Sequence, residues 1–370
     1  MKEKHFKSCS YCVMNSKNLK IEFDKNGRCN FCRAAENRLA NEKNPVSLTE
    51  MLYTIKSRSK GKYDCIIGLS GGLDSSYLAY ILRTEYGLNP LAIHLDNGWN
   101  SATAVSNIRK VVKSLEIDLV THVIDWDEFR DLQRAFFRSG LKNCEIPTDH
   151  AILSVLYQQA RKNNVKYILH GGNNASESIM PNEWMEDSRD FRLIKDISKR
   201  FSNVKFESYP HLPLRSLVQD IVIRKIKYVG ILNYLDYNKV DALLVLEKEI
   251  GYKKIEVKHG ESTFTKFFQE IFLPNRFGID KRLAHFSSEI VSGNMSREEA
   301  LNHLAIEKVN SQEKSIEISF VLDKLEFSEA EWLQIMTSSE KRLQQYAHTP
   351  FLHNRRTGLI QMLRKFGTAR

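Results

Sequence analysis

Four cysteines near the start of the chain are spaced to share one metal ion. Cys9-Ser10-Tyr11-Cys12 and Cys29-Asn30-Phe31-Cys32 form C-x2-C-x16-C-x2-C, within the range that reads as a tetrahedral site. Each pair can present two thiolates from one tight turn. Between them, Ile21 to Gly27 reads as a short strand and an Asn26-Gly27 turn that returns the chain to the second pair. Disulfides are disfavoured in a cytosolic chain, and an iron–sulfur cluster is the alternative to zinc. All-cysteine ligation leaves no open catalytic position, so Cys9, Cys12, Cys29 and Cys32 are read as a structural zinc site. The metal would hold together a module, residues 1–45, too small to build its own core.

The second cluster begins at an apolar run, Cys65-Ile66-Ile67-Gly68-Leu69, suited to a buried parallel strand. It leads directly into Ser70-Gly71-Gly72-Leu73-Asp74-Ser75-Ser76, and then into Tyr77 to Arg83 with helical apolar spacing. A strand, a glycine loop and a helix start present backbone N–H groups and a positive dipole end to a phosphate. Glycine allows close backbone approach, and the serine hydroxyls add donors. Neither the Walker pattern nor G-x-G-x-x-G occurs here, so the loop is neither a kinase-type P-loop nor a dinucleotide fingerprint.

Elements that position this loop follow in alternation. Leu91 to Leu95 reads as a second strand ending at Asp96-Asn97-Gly98-Trp99. A helix with Ala104, Val105, Ile108, Val111, Val112 and Leu115 on one side comes next. Leu119 to Ile124 is a third strand, and Asp127 to Phe137 and Ala151 to Arg161 are helical. Tyr167 to His170 is a fourth strand, running into Gly171-Gly172-Asn173. The expected fold is α/β, a doubly wound parallel sheet with ligands at the carboxyl ends of its strands. Asp96, His170, Gly171 and Asn173 fall at such ends, whereas His94, in mid-strand, is read as a core histidine. Residues 46–210 make this domain, and residues 211–370 a mostly helical region closing the substrate site. Ser296 and Glu299 open a capping-box helix there.

The 370 residues carry 55 Lys+Arg against 45 Asp+Glu, a net charge of +10 with pI near 9.1. That balance favours anionic partners without choosing among nucleotides, sugar nucleotides and nucleic acid. With 42% hydrophobic residues and a mean hydropathy of −0.40, the chain reads as globular. No apolar run reaches the roughly 18–20 residues of a membrane helix, and no h-region follows Met1, so a cytoplasmic protein is expected.

The loop S-G-G-L-D-S-S resembles the pyrophosphate-binding (PP) loop of the ATP pyrophosphatase superfamily, which includes GMP, NAD and asparagine synthetases and tRNA thiolases. The resemblance implies ATP cleaved to AMP and pyrophosphate, with adenylation of a substrate oxygen. It also implies that Ser70, Gly71, Gly72, Ser75 and Ser76 hold pyrophosphate and that Asp74 holds Mg2+. Several later segments extend the likeness. They are Asn143-Cys144-Glu145-Ile146-Pro147-Thr148-Asp149-His150, His170-Gly171-Gly172-Asn173, Lys258-His259-Gly260-Glu261-Ser262-Thr263 and Arg276-Phe277-Gly278-Ile279-Asp280-Lys281-Arg282. With the cysteine module, they are similar to the N-acetyl sugar amidotransferase family of surface-polysaccharide and nonulosonic acid biosynthesis.

That family implies adenylation of the acetamido oxygen of a nucleotide-linked sugar, then displacement of AMP by ammonia to leave an acetamidine. It implies a lysine such as Lys258 stabilising the departing pyrophosphate, with Glu261 and Lys266 in the same segment. Cys144 is a further candidate catalytic residue in a polar stretch, while Cys65 lies within the apolar strand. No glutaminase signature is present in the sequence, so the family implies partners: a glutaminase and a cyclase-like barrel supplying ammonia. A tRNA-modifying PP-loop enzyme of thiolase type is the alternative, and a zinc-ribbon adaptor for nucleic acid the third reading.

Overall fold

The computed structural model describes residues 6–17, 19–42, 45–255, 260–306 and 311–353. Its centre is a five-stranded, wholly parallel sheet: β1 Cys65–Gly68, β2 Pro90–Asp96, β3 Asp118–Val123, β4 Tyr167–His170 and β5 Lys227–Gly230. Spatial order is β3-β2-β1-β4-β5, so the chain reverses its direction of winding beside β1. That reversal opens a crevice at the carboxyl ends of β1 and β4, where doubly wound sheets bind ligands.

The two-residue period of β1 sorts its side chains into two layers. Cys65, Ile67 and Leu69 pack under the helices Leu73–Thr84, Ala102–Leu115 and Lys239–Ile250. Ile66, with Leu91, Ile93 and Leu95 of β2, faces the helices Trp126–Ser139 and Ile146–Lys162. The expected α/β fold is therefore observed, and Cys65 is core, its thiol pushed up by complete burial. The boundary expected at residue 210 is corrected by β5. Residues 227–230 pair in register with Tyr167–His170 and complete the sheet beyond that point.

The remaining C-terminal part is helical, with helices Lys281–Ser292, Arg297–Ala305, Ser311–Lys324 and Glu329–Thr337. Ser296 and Glu299 form the expected capping box. Aromatic rings weld this part to the sheet domain: Phe137 of Trp126–Ser139 meets Phe272 edge to face, centroids 4.8 Å apart. Among the described residues no helix is long and apolar enough to cross a membrane.

His150, fully buried in Ile146–Lys162, ties two outer segments to the sheet domain. Its Nδ1 lies 2.7 Å from the Ser188 carbonyl and its Nε2 accepts the Leu212 N–H at 3.0 Å. That pattern requires the neutral ring with Nδ1 protonated, and burial depresses its pKa to about 4. Because the folded state resists the proton that the unfolded chain accepts near its ordinary 6.5, stability is intact above that pH. As pH falls from 6.5 towards 4, about 3 kcal/mol should be lost. Urea midpoints followed across that window check this, and His150→Gln should flatten the slope.

Candidate functional site

Local sequence dictates the loop's shape. Gly71 takes φ +81°, and a β-carbon there would collide with the Ala104 carbonyl oxygen, so only glycine fits. Gly71→Ala should therefore cost about 3 kcal/mol or more. Gly251→Ala also faces positive φ, but nothing lies within 4 Å of its β-carbon, and it should cost about 1 kcal/mol or less. Paired denaturation curves separate the two.

The loop is braced by its own serines: Ser75 Oγ accepts the Ser70 N–H at 3.2 Å, and Ser70 Oγ accepts the Gly72 N–H at 3.2 Å. No side chain caps the helix Leu73–Thr84. Its first backbone bond runs from Ser76 N–H to the Gly72 carbonyl at 3.1 Å, leaving the first-turn N–H groups to be satisfied by an anion. Ser70 is exposed and Ser75 half-buried. Ser76 is fully enclosed, and its hydroxyl has no hydrogen-bond partner among the described residues.

Asp74, in that first turn, has both carboxylate oxygens engaged. The Tyr237 hydroxyl donates to Oδ1, and Asn173 Nδ2 donates to Oδ2 at 3.0 Å. Asn173 is itself fixed, its Oδ1 accepting from Ser176 N–H and Oγ, both at 3.0 Å. Burial, and then the carboxylate beside it, push the Tyr237 phenol far above its ordinary value, so it stays a donor. Lys239 lies in the field of Asp74 and pairs with Glu289 at 2.6 Å; these carboxylates outweigh its burial and raise its pKa. One carboxylate in a phosphate-binding turn suits a magnesium ion held mainly by phosphates and water.

The turn after β4 closes against the loop. A β-carbon on Gly171 would lie 2.8 Å from the Asp74 carbonyl oxygen and 3.0 Å from Ser75 N. His170 stacks on Tyr228 of β5, centroids 4.3 Å apart, and its Nδ1 accepts the Gly172 N–H at 3.2 Å. At the end of β2, Asp96 Oδ1 accepts from Gly98 N–H and Asn100 Nδ2, each at 3.0 Å. His94 is a core residue as expected: its Nδ1 lies 3.0 Å from the Leu69 carbonyl and its Nε2 3.2 Å from Asn100 Nδ2. Burial lowers its pKa, consistent with a neutral ring bridging the loop strand and the β2 turn.

Several contacts to the loop had little or no sequence signal. Asn107 Nδ2 and the Tyr252 hydroxyl both donate to the Gly71 carbonyl, at 3.3 and 3.2 Å. Asn107 had a trace of one, an amide within the apolar stripe of its helix. Asn100 bridges Ser262, and the Ser101 N–H donates to the Glu261 carbonyl at 2.9 Å. This seats Glu261 so that its Oε1 would lie 3.3 Å from a β-carbon on Gly72.

Lys258 lies outside the described residues. Lys266 pairs instead with Glu317, at 2.9 Å. Cys144 is enclosed, and burial holds its thiol well above the ordinary range, so it is not poised as a thiolate. Its neighbour Glu145 forms a buried ion pair with Lys281 at 3.6 Å.

The four N-terminal cysteines converge as expected. Their sulfurs lie within 4.8 Å of one another, all buried, the donor set of a closed tetrahedral site. Backbone N–H groups of Tyr11, Cys12, Met14 and Cys29 point at these sulfurs at 3.3–3.4 Å, which favours thiolate. The module docks on the C-terminal part: Arg297 donates to the carbonyls of Cys12 and Cys9, and Ser287 Oγ accepts the Val13 N–H.

A parallel sheet whose first strand delivers S-G-G-L-D-S-S to a helix start, with the β4 turn pressed against it, defines a PP-loop fold. Behind it, residues 261–358 match the family model described as "LPS biosynthesis protein WbpG-like, C-terminal domain". A PP-loop-type fold followed by a segment matching a WbpG-like C-terminal domain supports the family resemblance seen in the sequence.

It is 32% identical over 168 residues to an uncharacterised protein of Methanocaldococcus jannaschii, covering 44% of this chain and 58% of that one. A GMP synthase of Thermosipho africanus is 31% identical over 30% of this chain and 22% of its own length. A tRNA(Ile)-lysidine synthase of Chlamydia pneumoniae is 25% identical over 44% of this chain and 50% of its own. The chain thus spans well under two thirds of the curated relatives it matches. Among solved structures, an NMN synthetase from Francisella tularensis aligns at 14% identity and TM-score 0.29, over 61% of this chain and 92% of that one.

Proposed function

We propose that this protein is an ATP-dependent amidotransferase acting on the acetamido group of a nucleotide-linked sugar in surface-polysaccharide biosynthesis. One observation carries the reading: a domain of the lipopolysaccharide-biosynthesis type reaches the PP loop through Glu261. The loop supplies ATP activation, and the WbpG-like part supplies the acceptor class.

In this reading Ser70, Gly71, Gly72 and Ser75 form the pyrophosphate cradle, the orphan N–H groups of the helix start taking the phosphate charge, while Ser76, enclosed and with its N–H bonded to the Gly72 carbonyl, stands behind it. Asp74, oriented by Tyr237 and Asn173, would hold Mg2+, and Asp96, His170 and Gly171 border the nucleotide. The acetamido oxygen attacks the α-phosphate of ATP and pyrophosphate leaves. Ammonia then adds to the activated carbon, and AMP departs carrying the former amide oxygen. Water must be kept from that intermediate while ammonia adds. Zinc is the metal proposed for the four cysteines. Ammonia is proposed to come from a glutaminase and a cyclase-like partner.

Oxygen tracing tests the chemistry. A sugar nucleotide labelled with 18O in its acetamido group should yield labelled AMP; unlabelled AMP beside an acetamidine product would exclude adenylation of that oxygen. A tRNA-modifying activity is the second reading, favoured by the segment shared with lysidine synthase. The enclosed, neutral thiol of Cys144 offers it no ready sulfur carrier.

A further inference from the structure

A second cleft, of about 930 Å3, opens between the helix Phe191–Phe201, residues 213–215 and residues 347–351. None of its lining residues belongs to the PP loop or to the turns after β2 and β4. Its charge is one-sided. Arg192, Lys195, Lys199 and Arg215 line it, and none has a hydrogen-bond or ion-pair partner for its side chain among the described residues. The one lining carboxylate, Asp196, is already committed to Arg200 at 2.7 Å and to the Ala347 N–H at 2.9 Å.

Arg192, Lys195 and Lys199 recur three and four residues apart, so they share one face of their helix. Like charges in that arrangement repel, and a bound polyanion would relieve them. Beside them Phe191 lies parallel to His211, centroids 4.7 Å apart and planes 9° from parallel, and both line the cleft.

Buried polar groups hold both walls in place. Asp190, fully enclosed, caps the helix through the Arg192 and Leu193 N–H groups. It also accepts from Thr349 N–H at 2.6 Å and Thr349 Oγ1 at 2.8 Å, fixing the 347–351 wall. His150 fixes the other side through Ser188 and Leu212. The cleft is thus preorganised, and its size lies within the range of small-molecule sites.

We propose that this cleft is a second nucleotide site, binding a nucleoside diphosphate. The phosphates lie on Arg192, Lys195, Lys199 and Arg215, and the base lies on the outer face of exposed His211, whose inner face stacks on Phe191, itself backed by His150 with centroids 5.5 Å apart. This assignment is independent of the reaction proposed above, since it needs neither ATP turnover nor an acceptor sugar.

The test uses uridine diphosphate as probe, titrated calorimetrically into the full-length protein saturated with α,β-methylene-ATP. Wild type should bind one further nucleotide. Lys195→Glu with Arg215→Glu should weaken it at least tenfold, leaving methylene-ATP affinity and melting temperature unchanged. Inorganic pyrophosphate in the same titration should bind more weakly than uridine diphosphate, because it lacks the ring that stacks. The proposal is overturned if no uridine diphosphate binds, if the double variant binds it as well as wild type, or if pyrophosphate binds equally well. It is also overturned if the double variant loses bulk tRNA binding alone, which would make the cleft an RNA surface.

Discussion

Asp74→Asn should lower AMP formation about a thousandfold or more while leaving the fold intact. Asparagine keeps the shape, and its oxygen can still accept from Asn173 Nδ2, but its NH2 replaces the oxygen to which the Tyr237 hydroxyl donated. One buried donor, the Tyr237 O–H, is then left without its acceptor, so a cost of about 1–3 kcal/mol and a fall of several degrees in melting temperature are expected, short of unfolding. What disappears is the negative charge at the helix start, on which the proposed magnesium ion depends. Unchanged turnover with unchanged melting would remove Asp74 from the metal's coordination. Tyr237→Phe gives a graded companion: it should lose part of the rate, because the carboxylate keeps its charge and loses one orienting donor.

Cys29→Ser should have the largest effect on stability. A structural zinc site in a small module contributes on the order of 10 kcal/mol of coupled binding and folding free energy. The consequence reaches the loop through contacts already described. The module grips the helix Lys281–Ser292 through Val13 and Ser287, and that helix carries Glu289, the partner of Lys239 beside Asp74. Ser288 of the same helix accepts the Ile179 N–H at 2.9 Å, just beyond the β4 turn. Loss of metal should therefore lower the melting temperature by more than about 10 °C and depress turnover together. Metal content by mass spectrometry and melting curves check this. Full metal content or unaltered melting would contradict a structural four-cysteine site.

The features legible in the sequence were those fixed by neighbours along the chain. The C-x2-C pairs and the S-G-G-L-D-S-S loop are local geometries, and β1, β2 and β4 announce themselves as apolar runs ending in turns. The strand β5 did not: Lys227-Tyr228-Val229-Gly230 is short, with a charged residue and a glycine, and is a strand because β4 supplies its hydrogen bonds. That is why the boundary at residue 210 falls short. Tyr237 and Tyr252 reach the loop from the far side of the fold, and no spacing rule connects residues so distant in sequence, whereas Glu261 was reached only through the family resemblance. Ser76 matched the loop pattern by type, yet the helical turn encloses its hydroxyl, and side-chain direction is not written in a motif. Cys144 looked accessible in a polar stretch but is buried by the C-terminal part, beside Arg276.

The central claim is that the PP loop activates an acetamido sugar. Its most direct test is AMP release from ATP and ammonium with a panel of UDP- and CMP-linked N-acetylated sugars, run beside bulk tRNA. The account predicts AMP with one class of sugar nucleotide, with a product about one mass unit lighter as oxygen gives way to NH. AMP formed with tRNA alone, and with no sugar at any ammonium concentration, would contradict it.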